Sequence, residues 1–278
     1  MNRHIACVAA LIACGAAQGT AHADTPFAYD GFNYDAGSTL AGQTGGSGWA
    51  GPWGSNAPAP ASVVSGLSYS DSAGQVLPVQ GGAVMTSPSV FFAQETRDTT
   101  EVFGQAGTSV WMSFLVQQAS STGGISYAQA ALGQGLTFGS SAMSGGLSGS
   151  GASVGGFYAT SGVAATTTVA PGSVTFIVLR FDFASSGGDT ISLWVNPLLG
   201  DVAGVPDASG SFRDYAPAFS GMTFAYGDNR SFIFDELRIG SSYAAVASAV
   251  PEPRAAAMML AGLCAAGAIA RRRRHHEA

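Results

Sequence analysis

The stretch that most limits what this chain can become is Ser173 to Phe183, which reads S-V-T-F-I-V-L-R-F-D-F. Successive side chains of a strand point to opposite faces. Ile177, Leu179, Phe181 and Phe183 therefore share one face, and Val174, Phe176, Val178, Arg180 and Asp182 the other. The next six residues, A-S-S-G-G-D, have the composition of a hairpin loop. Thr190 to Asn196 then returns with Ile191, Leu193 and Val195 inward, and Asn196-Pro197 ends it.

Other segments follow the same two-residue period. Thr108 to Gln117 places Val110, Met112, Phe114 and Val116 on one face and Trp111, Ser113, Leu115 and Gln117 on the other. Both faces are largely apolar, which predicts a central strand. Phe27 to Tyr34 is an aromatic opening strand, Phe219 to Tyr226 and Ser231 to Ile239 read as a final pair, and Gly156 to Thr160 is a short strand among Gly/Ser loops. Ser89 to Ala93 reads as a strand and the polar Glu95 to Glu101 as a loop. No window between residues 24 and 250 repeats its apolar residues every 3.6 positions. The expected fold is all-β: an antiparallel β-sandwich of jelly-roll type over residues 24–246.

What the domain lacks excludes whole classes of chemistry. The cysteines are Cys7, Cys14 and Cys264, and the histidines His4, His22, His275 and His276, all outside residues 24–250. A Ser-His-Asp triad, a Cys-His dyad and a histidine-rich zinc site are therefore ruled out there. The chain has no lysine, and residues 24–250 carry five arginines against fifteen acidic residues, a net of −10. Such a balance argues against a nucleic-acid partner. It suits neutral glycans or divalent cations.

The termini carry addresses. Residues 1–23 read as a secretory signal peptide, with Arg3, an apolar run from Ile5 to Ala17, and cleavage after Ala21-His22-Ala23. The alternative is a lipobox at Leu11-Ile12-Ala13-Cys14, with Cys14 lipidated. At the other end, residues 247–254 form a linker holding Pro251-Glu252-Pro253. The segment 255–270 has no charged, amide or hydroxyl side chain, and 271–278 is a basic tail opened by Arg271, Arg272, Arg273 and Arg274. As a helix, 255–270 would span roughly 24 Å, a short transmembrane segment. The arginines would hold its end in the cytoplasm.

A Pro-Glu-Pro motif, a short apolar segment and an arginine cluster together resemble the PEP-CTERM sorting signal. The resemblance implies a bacterial envelope protein whose tail is recognised, and cleaved near the motif, by an exosortase-type transpeptidase. The protein would be anchored in the inner membrane first and reach the surface or the medium after processing. Further inside, Asp30-Gly31-Phe32-Asn33-Tyr34 with Gly48-Trp49, Leu193-Trp194-Val195-Asn196-Pro197, and Phe234-Asp235-Glu236-Leu237-Arg238-Ile239-Gly240 look like laminin-G/concanavalin-A-like jelly rolls. That resemblance implies adjacent first and last strands, and hence Phe27 to Tyr34 paired antiparallel with Ser231 to Ile239.

Two residue groups within the domain are candidate sites. Trp49 and Trp53, in a loop with six glycines, either cap the core edge or form an aromatic platform for sugars. Asp228, Asn229 and Asp235 are oxygen ligands suited to Ca²⁺, though their spacing matches no calcium loop. Asp235 is alternatively a buried strap that needs Arg180 or a backbone donor. Alternation puts it on an apolar face with Ile233, Leu237 and Ile239, and leaves Glu236 on the other face, where Glu236→Gln should be tolerated. The E-x-D-x-x-E strand of family 16 glycoside hydrolases is absent, and no catalytic residue is assigned. The expected function is a non-enzymatic surface or matrix protein linked to exopolysaccharide, with no required cofactor. A lectin-like glycan-binding module is the first alternative, and a glycoside hydrolase or lyase the second.

Overall fold

A computed structural model describes residues 24–87, 93–119, 127–132, 136–141, 157–159, 163–165, 172–211, 221–227 and 231–249. Strands are numbered along the chain. One sheet contains β1 (Ala28–Asp30), β3 (Ser62–Ser65), β4 (Gly82–Met85), β6 (Ser109–Gln118), β11 (Val174–Asp182), β12 (Thr190–Val195), β13 (Ala208–Ser211) and β15 (Phe232–Gly240). Their order is β13-β12-β11-β6-β15-β4-β3, and β1 also pairs with β15. The other sheet contains β2 (Gly54–Ser55), β5 (Ala93–Arg97), β7 (Tyr127–Leu132), β8 (Leu136–Ser141), β9 (Phe157–Ala159), β10 (Val163–Ala165) and β14 (Met222–Gly227). It runs β10-β9-β8-β7-β14-β5-β2. Every pairing is antiparallel.

The two-residue period sorts β6, β11 and β12 as their sequences predict. Val110, Met112, Phe114, Val116, Ile177, Leu179, Phe181, Ile191 and Leu193 fill the space between the sheets. Met222 and Phe224 of the second sheet meet them, and Phe224 stacks on Phe234 with ring centroids 4.6 Å apart. The fold is thus an antiparallel β-sandwich of jelly-roll type. Trp111, Leu115, Phe176, Val178 and Trp194 point the other way, into a second apolar cluster on the outside of the first sheet. The loops around Leu67–Leu77 and Leu199 cover that cluster together with the helix α1 (Tyr243–Ala247). β6 is therefore apolar on both sides because it is covered on both sides.

The opening and closing strands pair antiparallel, Ala28 with Ile239 and Asp30 with Leu237. Four expectations need correction. β14 and β15 are not a hairpin, because they lie in different sheets and face each other across the core. Of the expected loop 95–101, residues 95–97 instead belong to strand β5, with Glu95 and Arg97 turned inward and buried. Ile233 does not share a face with Leu237 and Ile239, because a β-bulge intervenes. The linker expected from residue 247 begins later. Ala247 is fully buried, Ala249 packs on the second cluster, and the Ser113 hydroxyl donates to the Val246 carbonyl at 2.7 Å. The expected strand at Ser89 to Ala93 lies mostly outside the described residues. So do the expected signal peptide and segment 255–270. Among the described residues no helix is long and apolar enough to cross a membrane.

Candidate functional site

The glycine-rich loop with the two tryptophans closes on Arg97. Its guanidinium donates to the carbonyls of Gly51 (2.7 Å) and Gly45 (2.8 Å) and to Asp30 Oδ2 (2.8 Å). It lies 5.1 Å from the Trp49 ring centroid and 5.8 Å from that of Trp53. Tyr34 Oη and Trp53 Nε1 also donate to Asp30 Oδ2, and the Phe32 N–H donates to Oδ1. Burial is the largest influence on the Asp30 carboxyl and pushes its pKa up, against these donors and the Arg97 charge. The loop needs glycine because it runs against β1. Gly48 has φ +77°, and a Cβ there would fall 1.8 Å from the Phe27 carbonyl oxygen.

A second buried cluster sits at the bulge in β15. Asp235 pairs with Leu115 and Arg238 with Ser113, so Glu236 and Leu237 oppose Phe114 alone. Glu236 has φ 53°, an uncommon conformation for a non-glycine residue. The bulge lies where the opposite edge of β15 passes from β4, which pairs with Ile233 and Phe234, to β1, which begins at Leu237. Among the described residues no strand backbone faces β15 in that gap, and two carboxyl side chains serve as acceptors instead. Asp235 accepts the Leu67 N–H (2.7 Å) and the Glu236 N–H (2.7 Å). Glu236 accepts the Gln80 N–H and the Tyr29 hydroxyl and is ion-paired with Arg238 at 2.5 Å. Arg238 also donates to the Pro78 carbonyl.

The cluster holds two carboxyls and one guanidinium. Burial, reinforced by the neighbouring Glu236 charge, pushes the Asp235 carboxyl up to about 8. Burial raises Glu236 as well, while Arg238 opposes that shift most strongly. Arg238 contacts Glu236 directly, so the retained proton belongs on Asp235, which leaves the cluster neutral.

The residues singled out in the sequence therefore separate. Trp53 is 1% exposed, with its ring in the core and its N–H on Asp30, so it offers no face to a sugar. Trp49 is half-buried under Arg97, and its indole N–H donates to the Tyr29 carbonyl. Asp235 is buried and is held by backbone N–H groups, not by Arg180, which pairs with Asp182. Glu236 is fully buried and bonded, contrary to the tolerance of Glu236→Gln expected of it. Asp228 and Asn229 lie outside the described residues, as do Pro251, Glu252, Pro253 and Arg271 to Arg274. Among the described residues no three carboxyl, imidazole or thiol side chains converge as a metal set would. The sequence gives no sign of Arg97 and places Glu95 in a polar loop, because A-Q-E-T-R has no apolar alternation. The inward charge at Glu95, which accepts the Ala61 N–H at 2.9 Å, shows only in three dimensions.

Two surface features remain. A groove of about 230 Å³ is lined by Phe27, Val102, Phe103 and Val110, with Glu101 at its side. The other is the junction where the chain leaves the domain. Ser242 caps α1 by accepting the Ala245 N–H, and its hydroxyl donates to Asp24 at 2.7 Å. The Gly200 N–H donates to the Ala247 carbonyl, and the Tyr243 hydroxyl to the Leu198 carbonyl. Both ends of the described chain are thus fastened at one place.

Among curated proteins no sequence matches this chain. Solved structures that resemble it include an endo-β-1,4-glucuronan lyase from the fungus Trichoderma reesei. It is 13% identical with a TM-score of 0.40, covering 76% of this chain and 98% of that one. The Emp47p carbohydrate recognition domain is 11% identical with a TM-score of 0.43, covering 74% and 95%. Alginate lyase Aly36B is 11% identical with a TM-score of 0.45, covering 78% and 98%. Residues 249–274, beginning where the packed domain stops, match the PEP-CTERM protein-sorting motif, so the chain carries a signal for export and exosortase sorting.

Proposed function

We propose that the protein is a non-enzymatic envelope or matrix component, delivered by its sorting signal and contributing to exopolysaccharide. The carrying observation is the junction. The sandwich is closed by β15 and α1 before the sorting motif begins at residue 249, so cleavage near Pro251-Glu252-Pro253 would release a finished domain. The buried carboxylates Asp30, Asp235 and Glu236 each serve as acceptors within the fold, which supports a structural role for them and no catalytic one.

The test is to express the full chain and a version ending at Val250 in an exosortase-bearing host. The truncated protein should appear soluble in the periplasm or medium. The mature full-length product should lack its C-terminal peptide by mass spectrometry. A truncated protein still held in the membrane, or an intact C-terminus in the mature form, defeats the proposal.

Glycan binding is the second reading, favoured by the outer face of the second sheet. There Thr96 is exposed and Gln94 and Asn56 present amides, the Gln94 N–H bonded to Asn56 Oδ1 at 2.8 Å. Such neutral donors and acceptors suit hydroxyl-rich ligands. Retention of residues 24–250 on a polysaccharide array would favour it.

A further inference from the structure

The loop fastened to the exit helix carries the most exposed apolar side chains among the described residues. Val205 is 91% exposed, Val202 83% and Leu198 56%. These are not stray surface residues on a loose segment. Between them, Leu199 and Ala203 pack into the second apolar cluster with Tyr243, Ala245, Val246 and Ala247. The Leu199 N–H donates to Asp71 at 2.8 Å, the Tyr69 hydroxyl to the Pro197 carbonyl at 3.1 Å, and the Gly200 N–H to Ala247. Val76, 47% exposed, lies on the Asp71 turn that grips the same loop. The scaffold is rigidly bonded while its apolar tips face outward.

The position of the chain's exit identifies what they face. Ala249 packs on the same cluster, and only residues 250–254 separate it from the apolar segment 255–270. Five residues reach at most about 17 Å when fully extended. The headgroup region on each side of a bilayer is about 5–8 Å deep. While the tail is inserted, the loop is therefore held within one linker length of lipid. Tethering at that range raises its effective concentration at the surface.

We infer that Leu198, Val202 and Val205 form a lipid-docking patch that seats the outer face of the first sheet on the bilayer before the tail is cleaved. This rests on residues 255–270 being membrane-inserted. The loop bears Asp201 and Asp207 and no arginine, so the contact is apolar and favours zwitterionic over anionic lipid. Cleavage removes the tether, and the weak patch then lets go. Docking would thus end with processing.

The test uses the full chain in membranes of a host without the transpeptidase. A benzophenone side chain replaces Val205 in one sample and Thr96, on the far face of the sandwich, in another. Illumination should give phospholipid adducts at position 205 and none at 96. Val202→Asp should lower the adduct yield at 205 by about tenfold, since withdrawing one valine side chain from lipid accounts for roughly that factor. It should leave the melting temperature unchanged. Equal adducts at both positions, a protein adduct at 205 (a second copy of the chain or the host's own protein), or no adduct overturns the docking patch. Alkaline extraction of the same membranes separates the two failures. Protein that stays with the membrane yet gives no lipid adduct defeats docking alone. Protein that washes off defeats the inserted tail and docking together.

Discussion

The sandwich uses two buried charge clusters for the same task, and they differ in charge balance. Asp30 and Arg97 are one acid and one base, with side chains 1% and 2% exposed, and they hold a glycine loop against β1. Asp235, Glu236 and Arg238 are two acids and one base, and they hold a bulge where β15 changes partners. In both, a side chain supplies what an irregular backbone cannot. A balanced pair can stay ionised in the core. In the unbalanced trio the second carboxyl adds its charge to the effect of burial, and the pKa of Asp235 is pushed up to about 8.

The largest expected effect is from Arg97→Met. It leaves Asp30 buried without its counter-charge and frees two loop carbonyls, at a cost of about 3–5 kcal/mol. Chemical denaturation of residues 24–250 measures it, and a loss below 1 kcal/mol would mean the loop holds itself. Glu236→Gln should cost less, about 2–3 kcal/mol, because Arg238 keeps its bond to Pro78 while losing a charged partner. If the two substitutions cost the same, the difference in charge balance is without consequence.

Asp235→Asn sharpens the comparison through pH. In the folded protein Asp235 keeps its proton up to about 8, whereas its ordinary value is 3.8. Between these values the native state binds a proton that the unfolded chain has given up. Stability should therefore fall as pH rises from about 4 to about 8. In the Asn variant that slope should be flatter, so that a deficit at pH 5 narrows by pH 9. Parallel melting curves for the two proteins across this range would place the proton elsewhere. The smallest effect belongs to Arg180→Met. The Arg180–Asp182 side chains are 42% and 31% exposed, so their ion pair should contribute no more than about 1 kcal/mol. A larger loss would point instead to the Trp111 ring, 5.4 Å from the guanidinium.

The interior of the first sheet was open to inspection in the sequence. β6, β11 and β12 declare both faces, because side-chain alternation is a local property and their neighbours agree with it. The bulge was not. Leu237 and Ile239 alternate correctly with one another, but the extra residue at Asp235-Glu236 shifts the parity of Ile233. Nothing in F-I-F-D-E-L-R-I-G marks where β4 ends and β1 begins on the opposite edge. The clusters themselves were half visible. Alternation alone marks Asp235 as a buried carboxyl that needs a donor, while its donors, Leu67 N–H and Glu236 N–H, depend on a contact spanning 168 residues and on a bulge. Arg97 was hidden because a short polar strand resembles a loop until its partner is known.

By itself the sequence determined the all-β class, the absence of histidine and cysteine from the domain, and the sorting address at 249–274, since each depends on composition or on neighbouring residues. Only the tertiary structure decided that β14 and β15 part into different sheets, that Glu236 is buried and that α1 fastens the exit to an apolar loop. The physical reason is range. Periodicity is fixed within a few residues, whereas pairing, burial and charge balance are set by groups far apart in the chain that meet only when the two sheets close.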